Sequence, residues 1–260
     1  MRKFALIGGS GLDRLAELDV RRTSRPATAY GAPSAPIVEG LLDGQAVCFL
    51  PRHGSDHGLP PHRINYRANV MALRALGVTD VIAVAAVGGI ATDAGPGTIV
   101  IPDQLVDYTW GREHTFYDGA NGELDHVDFT APYAADLRAA LVAAARTLGI
   151  AIVPQGTYAA TQGPRLETAA EIRRLARDGC TIVGMTGMPE AALAREAGMA
   201  YANCSLVVNR AAGLGVGPIT AEEMRRNLER GMGDVLRIVG TTLRQVRAVH
   251  RGHRSRPSLQ

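Results

Sequence analysis

An arginine and three histidines stand close together early in the chain. Arg52 and His53 follow an apolar run that ends at Leu50, and His57 and His62 come soon after. An arginine can bind two phosphate oxygens at once, and a neighbouring imidazole can add a hydrogen bond or a charge near neutral pH. Metal binding is disfavoured, because no carboxylate or cysteine has ligand spacing and the intervening glycines and proline oppose the helix that would align the histidines. The Arg52 and His53 pair therefore predicts an oxyanion pocket.

A glycine-rich turn, Gly8-Gly9-Ser10-Gly11-Leu12, ends the first apolar run of the chain. Its glycines allow a tight turn that aims backbone N–H groups and a hydroxyl at an anion. An ordinary turn between a strand and a helix would have a similar composition, so the motif alone leaves both interpretations open. It lacks the G-x-G-x-x-G spacing of dinucleotide-binding enzymes, which disfavours an oxidoreductase.

Short apolar runs rich in β-branched residues alternate with segments of helical periodicity, and these elements must position the motifs. The predicted strands are FALIGG, AVCFLP, VIAVAAVGG, TIVIP, GTYAAT, TIVGM and YANCSLVV, and the predicted helices span 66–76, 134–148, 168–177, 189–197 and 220–249. This alternation predicts a mainly parallel sheet covered by helices, in which ligands gather at the carboxyl ends of the strands. Each candidate motif lies at such an end. The polar segment 112–130 is long enough to form a functional loop.

Length and composition fit one α/β domain. The 260 residues can bury a sizeable core, so one domain over 1–250 is expected, with a flexible basic tail at 251–260. The net charge of +3, with arginines scattered outside that tail, predicts no surface for nucleic acid. No apolar run approaches the ~20 residues of a membrane-spanning helix, and the opening MRKFALIGGSGL fits a strand and turn better than a signal peptide. A cytoplasmic protein without membrane association is therefore expected.

The three cysteines, Cys48, Cys180 and Cys204, form no C-x-x-C or Cys/His pattern. Their odd number and their spacing indicate neither a disulfide framework nor a zinc site. They are expected to be small core residues.

The motifs together resemble those of a known family. With VIAVAAVGGI, GTIVIPDQLVDYT, HTFYDG, GTYAATQGPRLETAAEI and VGMTGMPEAALAREAGMAYA, the chain is similar to the trimeric purine nucleoside phosphorylase and methylthioadenosine phosphorylase family from about Ala5 to the last helix. The resemblance implies a single α/β domain with a twisted central mixed β-sheet flanked by helices. It also implies a homotrimer or a dimer of trimers with active sites at subunit interfaces. The expected substrates are a nucleoside and inorganic phosphate, with no metal and no organic cofactor.

The resemblance assigns the phosphate and sugar contacts by position. The phosphate contacts fall on Ser10, Arg52, His53 and Thr186, and Met185 would lie against the sugar. A polarizable thioether suits the apolar face of a pentose, although plain core packing would also explain Met185.

One phosphate contact departs from the family pattern at Ala85 and Ala86. Many relatives carry a threonine or serine before the glycine pair, where this chain has Ala85-Ala86-Val87-Gly88-Gly89. The hydroxyl is missing, so only the backbone N–H of Ala86 could serve. Weaker phosphate binding or rearranged ligands are expected.

Two residues are expected to select the base. In the family, an asparagine at the position of Asn209 donates to O6 or N7 of 6-oxopurines. Adenine-preferring relatives have an aspartate at that position and a second aspartate two positions later, where this chain has Ala211. Glu167, next to Leu166 in the same assigned substrate site, resembles the glutamate that accepts the N1–H of a 6-oxopurine; without the resemblance it would be an exposed acid in the first turn of a helix. Together they would leave polar groups unpaired against a 6-aminopurine, at ~1 to 3 kcal/mol each.

The expected sugar carries an apolar 5' group. Family enzymes that act on ordinary nucleosides place a histidine near the start of the last helix, and no histidine stands between Asn209 and Val249. Ile219, Ala221 and Met224 would suit a methylthio group instead, because such a group cannot compensate the desolvation of a polar partner. His126 resembles a loop histidine that reaches the 5' end from a neighbouring subunit, although a solvated loop histidine is the simpler interpretation.

The sequence thus predicts phosphorolysis of a 6-oxopurine 5'-methylthionucleoside, S-methyl-5'-thioinosine, in purine salvage. Breaking the bond between purine and ribose builds positive charge on the sugar and negative charge on the base, so phosphate near the sugar and hydrogen-bonding groups near the base are required. Asn209, Glu167 and His53 are the expected catalytic residues. No G-x-S-x-G elbow of a serine hydrolase is present.

Four alternatives remain open at this level. An inosine and guanosine phosphorylase or a methylthioadenosine phosphorylase would share most of the motifs. A non-catalytic nucleoside-binding protein is encouraged only by Ala85 in place of a hydroxyl. A nucleoside hydrolase would not need the Arg52 and His53 pair.

Overall fold

A computed structural model describes residues 2–12, 14–119 and 124–254, with side chains described as far as residue 246. Within these residues eleven strands form one mixed sheet, and five α-helices and a short 3₁₀ turn at Pro61–Arg63 accompany it. The strands are β1 Phe4–Gly8, β2 Asp19–Ser24, β3 Ile37–Leu42, β4 Gln45–Pro51, β5 Asp80–Gly89, β6 Ile99–Val100, β7 Gln104–Asp107, β8 Ile152–Val153, β9 Thr157–Ala160, β10 Ile182–Gly184 and β11 Ala200–Arg210. The helices are α1 Tyr66–Ala75, α2 Ala135–Leu148, α3 Ala169–Arg177, α4 Gly187–Glu196 and α5 Ala221–Arg254.

The long strand β5 organises the sheet. It runs parallel to β1 on one side and to β11, and β1 in turn runs parallel to β4. The short strand β10 pairs antiparallel with the last residues of β5 and parallel with β9. The carboxyl ends of β1, β4, β5, β9, β10 and β11 therefore converge on one region, where sheets of this kind bind ligands.

The core lies on both faces of the sheet. In β1, Phe4 and Leu6 belong to a cluster with buried side chains of α2 and α5, whereas Ala5 and Ile7 belong to a cluster with side chains of α1 and α4. Successive strand residues point to opposite faces, so an uninterrupted apolar run is what a doubly covered strand requires. Ile172 and Leu175 of α3 belong to a third, smaller cluster with Val183.

The predicted fold class is confirmed, and the elements missing from the prediction are informative. Each predicted helix and each predicted strand overlaps an observed one. The strand β2, with sequence DVRRTS, is exposed along its length and lacks the apolar run that marks a buried strand. Because β2, β3 and β4 form an antiparallel meander and β10 runs antiparallel to β5, the sheet is mixed, although six of its ten strand pairings are parallel.

The last helix is longer than expected. It continues to Arg254, into the segment 251–260 that was expected to be a flexible tail. Residues 255–260 of that predicted tail lie outside the described residues. Among the described helices, none combines the length and the apolar character that crossing a membrane requires.

Candidate active site

A cavity of about 390 Å³ lies where the carboxyl ends of these strands converge. Most of the residues predicted from the sequence to form a site meet in its wall. They are Ser10, Arg52, His53, Ala85, Ala86, Leu166, Glu167, Met185, Thr186 and Asn209. These residues come from six strand ends that are far apart in the chain, so the sheet topology brings them together.

The glycine turn after β1 opens one end of the cavity. Pairing between β1 and β5 stops at Ile7 and Ala83, and the turn closes with a hydrogen bond of 2.9 Å from Leu12 N to Gly9 O. A Cβ atom on Gly9 would lie 2.7 Å from Val84 O and 2.9 Å from Arg52 Nη1. The missing side chain is therefore what lets the guanidinium group reach the open edge of β5.

Arg52 is held by a partner that the sequence did not predict. Both Arg52 and Glu190 are 1% exposed, and Arg52 donates through Nε and Nη2 to the two carboxylate oxygens of Glu190 at 2.7 and 2.9 Å. Arg52 Nη1 donates to Val84 O at 3.0 Å, and Tyr201 Oη donates to Glu190 at 2.8 Å. Burial disfavours the charge of the guanidinium group, but the Glu190 carboxylate more than offsets this and raises the pKa of Arg52 above its ordinary value.

This pairing changes how Arg52 can bind an anion. An arginine has five N–H groups, and Glu190 and Val84 use three of them, so two remain for a ligand. The bidentate fork expected for phosphate is occupied by Glu190, and the Nη1 side of the guanidinium group is the part that borders the glycine turn. A sequence signal for Glu190 existed, since it is an acid among apolar residues in MTGMPEAALA.

His53 has a fixed ring orientation. Its Nδ1 lies 2.8 Å from Leu59 O, and because a carbonyl only accepts, Nδ1 carries the proton. The ring is 8% exposed and lies 4.6 Å from the ring of His57, centroid to centroid. His57 has a left-handed backbone with φ of 55°, and its Nε2 lies 3.5 Å from Ser10 Oγ. The two histidines and the serine thus form one polar group beside Arg52. In the described part of the chain, no group of three or more His, Cys, Asp or Glu side chains could hold a metal ion.

Met185 and Thr186 follow β10 directly. Thr186 N donates to the hydroxyl of the buried Tyr158 at 3.4 Å, and a Cβ atom on Gly184 would lie 2.1 Å from that hydroxyl oxygen. A Cβ atom on Gly163 would lie 2.4 Å from Met185 Sδ, so the thioether occupies the space left by a glycine whose φ is +58°. Gly163 and Gly184 therefore place these two side chains by close approach.

Glu167 stands just before helix α3. Thr168 is the N-cap of this helix, and a complete capping box with Glu171 fixes the chain there. Thr161 Oγ1 donates to Glu167 Oε1 at 2.7 Å, which orients the carboxylate. Thr161 was not predicted, since a hydroxyl six residues away becomes a neighbour only when the turn between them is formed.

Asn209 owes its orientation to an irregularity in β11. Its register against β5 shifts between Val207 and Asn209, which is a β-bulge, and bulges re-aim side chains next to sites. Asn227 of α5 stabilises the bulge by donating to Val208 O at 2.8 Å. Asn209 Nδ2 donates to Arg210 O at 2.7 Å, so the amide keeps a second N–H and its carbonyl oxygen.

The start of α5 closes the other side of the cavity with Met224, Arg225 and Leu228. Of the three apolar residues expected at a 5' pocket, Met224 lines the cavity and Ile219 and Ala221 do not. Arg225 was not expected there, and it also pairs with Glu229 at 2.6 Å. Ile219 lies before α5 and Ala221 is its first residue, so the cavity wall begins one turn further along the helix.

His126 lies apart from this cavity. It is exposed, in the irregular segment 124–130, and is not among the residues that line the cavity of its own chain. Its predicted role requires contact with a neighbouring subunit and stays a prediction.

The two ends of the cavity are set by the length of β5. Arg52 contacts Val84 O, whereas a Cβ atom on Gly88 would lie 3.4 Å from Asn209 Nδ2. Four residues of strand span about 13 Å. Because Val183 pairs with Gly88 in an antiparallel register, Met185 returns along β5 between these two ends. Cationic and hydroxyl groups thus stand at one end, the Asn209 amide at the other, and the Met185 thioether between them.

Comparison with known proteins agrees with this geometry. The family model described as "Phosphorylase superfamily" matches residues 3–244. A protein of Xanthomonas campestris named "Probable S-methyl-5'-thioinosine phosphorylase" is 51% identical over 242 residues, which cover 93% of this chain and 97% of that protein. The "6-oxopurine nucleoside phosphorylase" of Pyrococcus furiosus is 44% identical over 245 residues, covering 92% of this chain and 91% of that protein.

A solved structure has the same fold. The methylthioadenosine phosphorylase of Schistosoma mansoni in complex with adenine superposes with a TM-score of 0.91 at 31% identity, covering 95% of this chain and 93% of that chain.

Proposed function

The chain belongs to the phosphorylase superfamily, whose nucleoside members are pentosyltransferases, and from this premise we propose that it cleaves a 6-oxopurine 5'-methylthionucleoside with inorganic phosphate. The substrate proposed is S-methyl-5'-thioinosine, and the products are hypoxanthine and 5-methylthioribose 1-phosphate. One observation carries the proposal. Glu167 and Asn209 line the same cavity as Ser10, Arg52 and His53.

The phosphate end supplies the nucleophile. The groups proposed to hold the anion are two N–H groups of Arg52, the hydroxyls of Ser10 and Thr186, and the His53 ring. Phosphate oxygen attacks the anomeric carbon as the bond from that carbon to the purine nitrogen breaks, so a C–O bond replaces a C–N bond. The anion also stabilises the positive charge that develops on the sugar. This end lacks one hydroxyl of the family pattern, because Ala85 and Ala86 stand where many relatives have a threonine or serine.

The base end receives the leaving electrons. They spread over the purine ring onto O6 and N7, and N7 gains the proton that phosphate loses when its oxygen bonds to carbon. The amide of Asn209 donates one N–H to O6, and its carbonyl oxygen accepts from N7–H. Glu167, oriented by Thr161, accepts the N1–H of a 6-oxopurine. A 6-aminopurine carries an acceptor at N1, so it would face the carboxylate with a lone pair. Hypoxanthine is therefore favoured over adenine as the leaving group.

The 5' end of the sugar is the second specificity element. Met224 and Leu228 offer apolar surface that suits a methylthio group. Arg225 in the same wall favours a second candidate, an inosine and guanosine phosphorylase, because its guanidinium group could donate to a 5'-hydroxyl. The Pyrococcus furiosus relative bears the name of that activity.

Substrate comparison tests the proposal. The purified protein is incubated with phosphate and, separately, methylthioinosine, methylthioadenosine, inosine and guanosine, and the free base is followed. We expect methylthioinosine to have the highest kcat/KM and methylthioadenosine to be lower by about 10- to 100-fold for each mismatched polar group. A preference for methylthioadenosine would contradict the base assignment, and equal turnover of inosine would contradict the 5' assignment. Base release without phosphate would indicate a hydrolase.

The assembly and the co-substrate are part of the same proposal. We expect three chains of 27.5 kDa, or two such trimers, with His126 of one subunit close to the 5' end of its neighbour's substrate. Light scattering after gel filtration measures the mass, and a monomer would contradict the role of His126. Phosphate is the only co-reactant that the bond changes require. Location in the cytoplasm stays an expectation from the sequence.

A further inference from the structure

Arg112 is a buried arginine in the loop between β7 and α2 that none of the steps above uses. It is 9% exposed, and its guanidinium group lies 5.7 Å from the centroid of the Tyr66 ring. Its five N–H groups reach six acceptors, three of them at Nη1, so one Nη1 N–H is shared between two acceptors. The acceptors are Gln162 Oε1 at 3.1 Å, Gln162 O at 2.8 Å, Thr161 O at 3.2 Å, Met185 O at 2.8 Å, Met188 O at 2.6 Å and Tyr66 Oη at 3.3 Å.

Apart from Tyr66, these acceptors lie in two segments that each contribute residues to the cavity wall. Thr161 and Gln162 lead into the segment that carries Glu167, and the Thr161 hydroxyl contacts that carboxylate. Met185 and Met188 lie in the segment after β10, whose thioether stands between the two ends of the cavity. Four of the six bonds end on backbone oxygens, so they fix the path of the main chain whatever side chains it carries.

We propose that Arg112 is a positioning residue that sets the separation of the base-side and sugar-side walls, and that Thr161 transmits this position to Glu167. The inference rests on the proposed function, because it assigns Arg112 to the geometry of a purine and pentose site. In the proposed binding of the substrate, Arg112 touches neither the base nor the sugar.

The loop that carries Arg112 is itself braced. His114 Nδ1 donates to Arg112 O at 2.6 Å, and Thr109 N and Oγ1 donate to Asp107 at 2.8 and 2.7 Å. Trp110 N donates to Gln162 Oε1 at 3.2 Å, so the loop meets the base-side wall twice. A braced loop can hold its two contacts at a fixed distance, which a mobile one could not.

Only an arginine suits this position. A guanidinium group presents five N–H donors in one plane. Here Nε and Nη2 reach Gln162 in one segment, and Nη1 reaches Met185 O in the other. A lysine offers three donors from one point and cannot reach both walls at once. Arg112→Lys therefore keeps the charge and the aliphatic stem but loses the bridge.

The test measures Arg112→Lys in the full-length protein with phosphate and both 6-oxo and 6-amino methylthionucleosides. We expect a folded variant whose kcat/KM for methylthioinosine falls by about 10- to 100-fold, as small misplacements of reacting groups do. We also expect its preference for methylthioinosine over methylthioadenosine to fall by about tenfold, on the scale of one unpaired polar group. A general loss of stability would lower kcat/KM equally for both substrates and leave the preference unchanged.

Arg138 supplies a matched control. It too donates to backbone carbonyls of two segments, Pro102 O at 2.7 Å, Ile101 O at 3.3 Å and Pro154 O at 2.9 Å, and it does not line the cavity. Arg138→Lys should leave the base preference at its wild-type value. An equal loss of preference in Arg138→Lys would overturn the assignment of Arg112.

Thr161→Val keeps the inference falsifiable if Arg112→Lys does not fold. Valine matches the shape of threonine and removes only the hydroxyl that contacts Glu167. The same loss of base preference is expected, and Thr161→Ser should restore it. A folded Arg112→Lys or Thr161→Val with wild-type base preference overturns the inference while the proposed function stands. A wild-type protein that releases no base with phosphate overturns the proposed function itself.

Discussion

The buried pair of Arg52 and Glu190 shows how a single residue's chemistry depends on a distant partner. The two lie 138 positions apart in the chain, and each is 1% exposed. The carboxylate compensates the cost of burying the guanidinium charge and fixes which N–H groups border the cavity. Arg52 therefore reaches a ligand as a pre-oriented donor rather than as a freely moving charge.

Glu190→Gln should weaken phosphate binding selectively. The glutamine keeps the shape of the side chain but leaves Arg52 buried without its counterion, so the free energy of unfolding should fall by about 3 kcal/mol. The KM for phosphate should rise about tenfold, or about 1.4 kcal/mol, while the base preference stays unchanged. Phosphate saturation kinetics and denaturant unfolding measure the two effects.

Asp80→Asn is the control for Glu190→Gln. Asp80 is 2% exposed and accepts from Arg2 Nε at 2.9 Å, but it begins β5, at the opposite end of the strand from the cavity. It should lower stability without changing the KM for phosphate. An unchanged phosphate KM in Glu190→Gln would contradict the positioning of Arg52 by Glu190.

At the scale of elements, the ends of helices and strands place the side chains. The bulge in β11 turns Asn209 toward the cavity, and Asn227 of α5 holds it. The capping box at α3 holds the chain directly after Glu167. In both places the polar group that fixes the backbone stands next to the group proposed to bind the base.

Glu171→Gln tests the cap of α3 through pH. The side chain of Arg165 and the backbone N–H of Thr168 donate to Glu171 and lower its pKa to about 2. A carboxyl whose folded pKa lies below its unfolded value stabilises the fold above the unfolded value of 4.5, and this contribution disappears as the pH falls through about 2. Glutamine still fits a capping box, and the site is solvent-exposed, so the loss at pH 7 should be only about 0.5 kcal/mol.

Unfolding by urea at several pH values measures this difference. The gap between wild type and Glu171→Gln should close between pH 4.5 and about 2. Asp234→Asn, which removes an exposed pair with Arg237 inside α5, should change stability by a few tenths of a kcal/mol, about 0.2 to 0.5. A gap for Glu171→Gln that persists at pH 2 would contradict the ionic contribution.

At the scale of the whole molecule, three apolar clusters are joined by one sheet. Cys48, Cys204 and Cys180 each lie in a different one of these clusters. Burial raises the pKa of Cys48 to about 11 and that of Cys204 to about 12, and it raises the pKa of Cys180 as well. Each thiol is therefore a probe of one part of the core.

The thiols should react only when the whole domain unfolds. Only the thiolate reacts with a disulfide reagent, and these thiols are both inaccessible and protonated at pH 8. In native buffer the three cysteines should stay unlabelled, and in increasing denaturant all three should become labelled with the midpoint of the loss of circular dichroism. A thiol that is labelled in native buffer, or two separate midpoints, would contradict a single cooperative core.

The sequence by itself determined seven of the eleven described strands and the five helices, and it selected residues that meet in one cavity. Uninterrupted apolar runs of β-branched residues identified seven strands, and helical periodicity identified the helices. Motifs at strand ends, together with the family resemblance, identified ten of the residues that line the cavity. These signals are local, because a strand covered on both faces needs apolar residues at successive positions. The exposed strand β2 left no such signal.

Only the tertiary structure decided which polar groups face one another. It paired Arg52 with Glu190, joined Arg112 to the walls beside Met185 and Thr161, and turned Arg225 rather than Ile219 into the cavity. Each of these outcomes depends on segments far apart in the chain meeting at one place in the fold. Residue type states what a side chain can donate or accept, but the partner that it meets is fixed by the packing of the whole sheet.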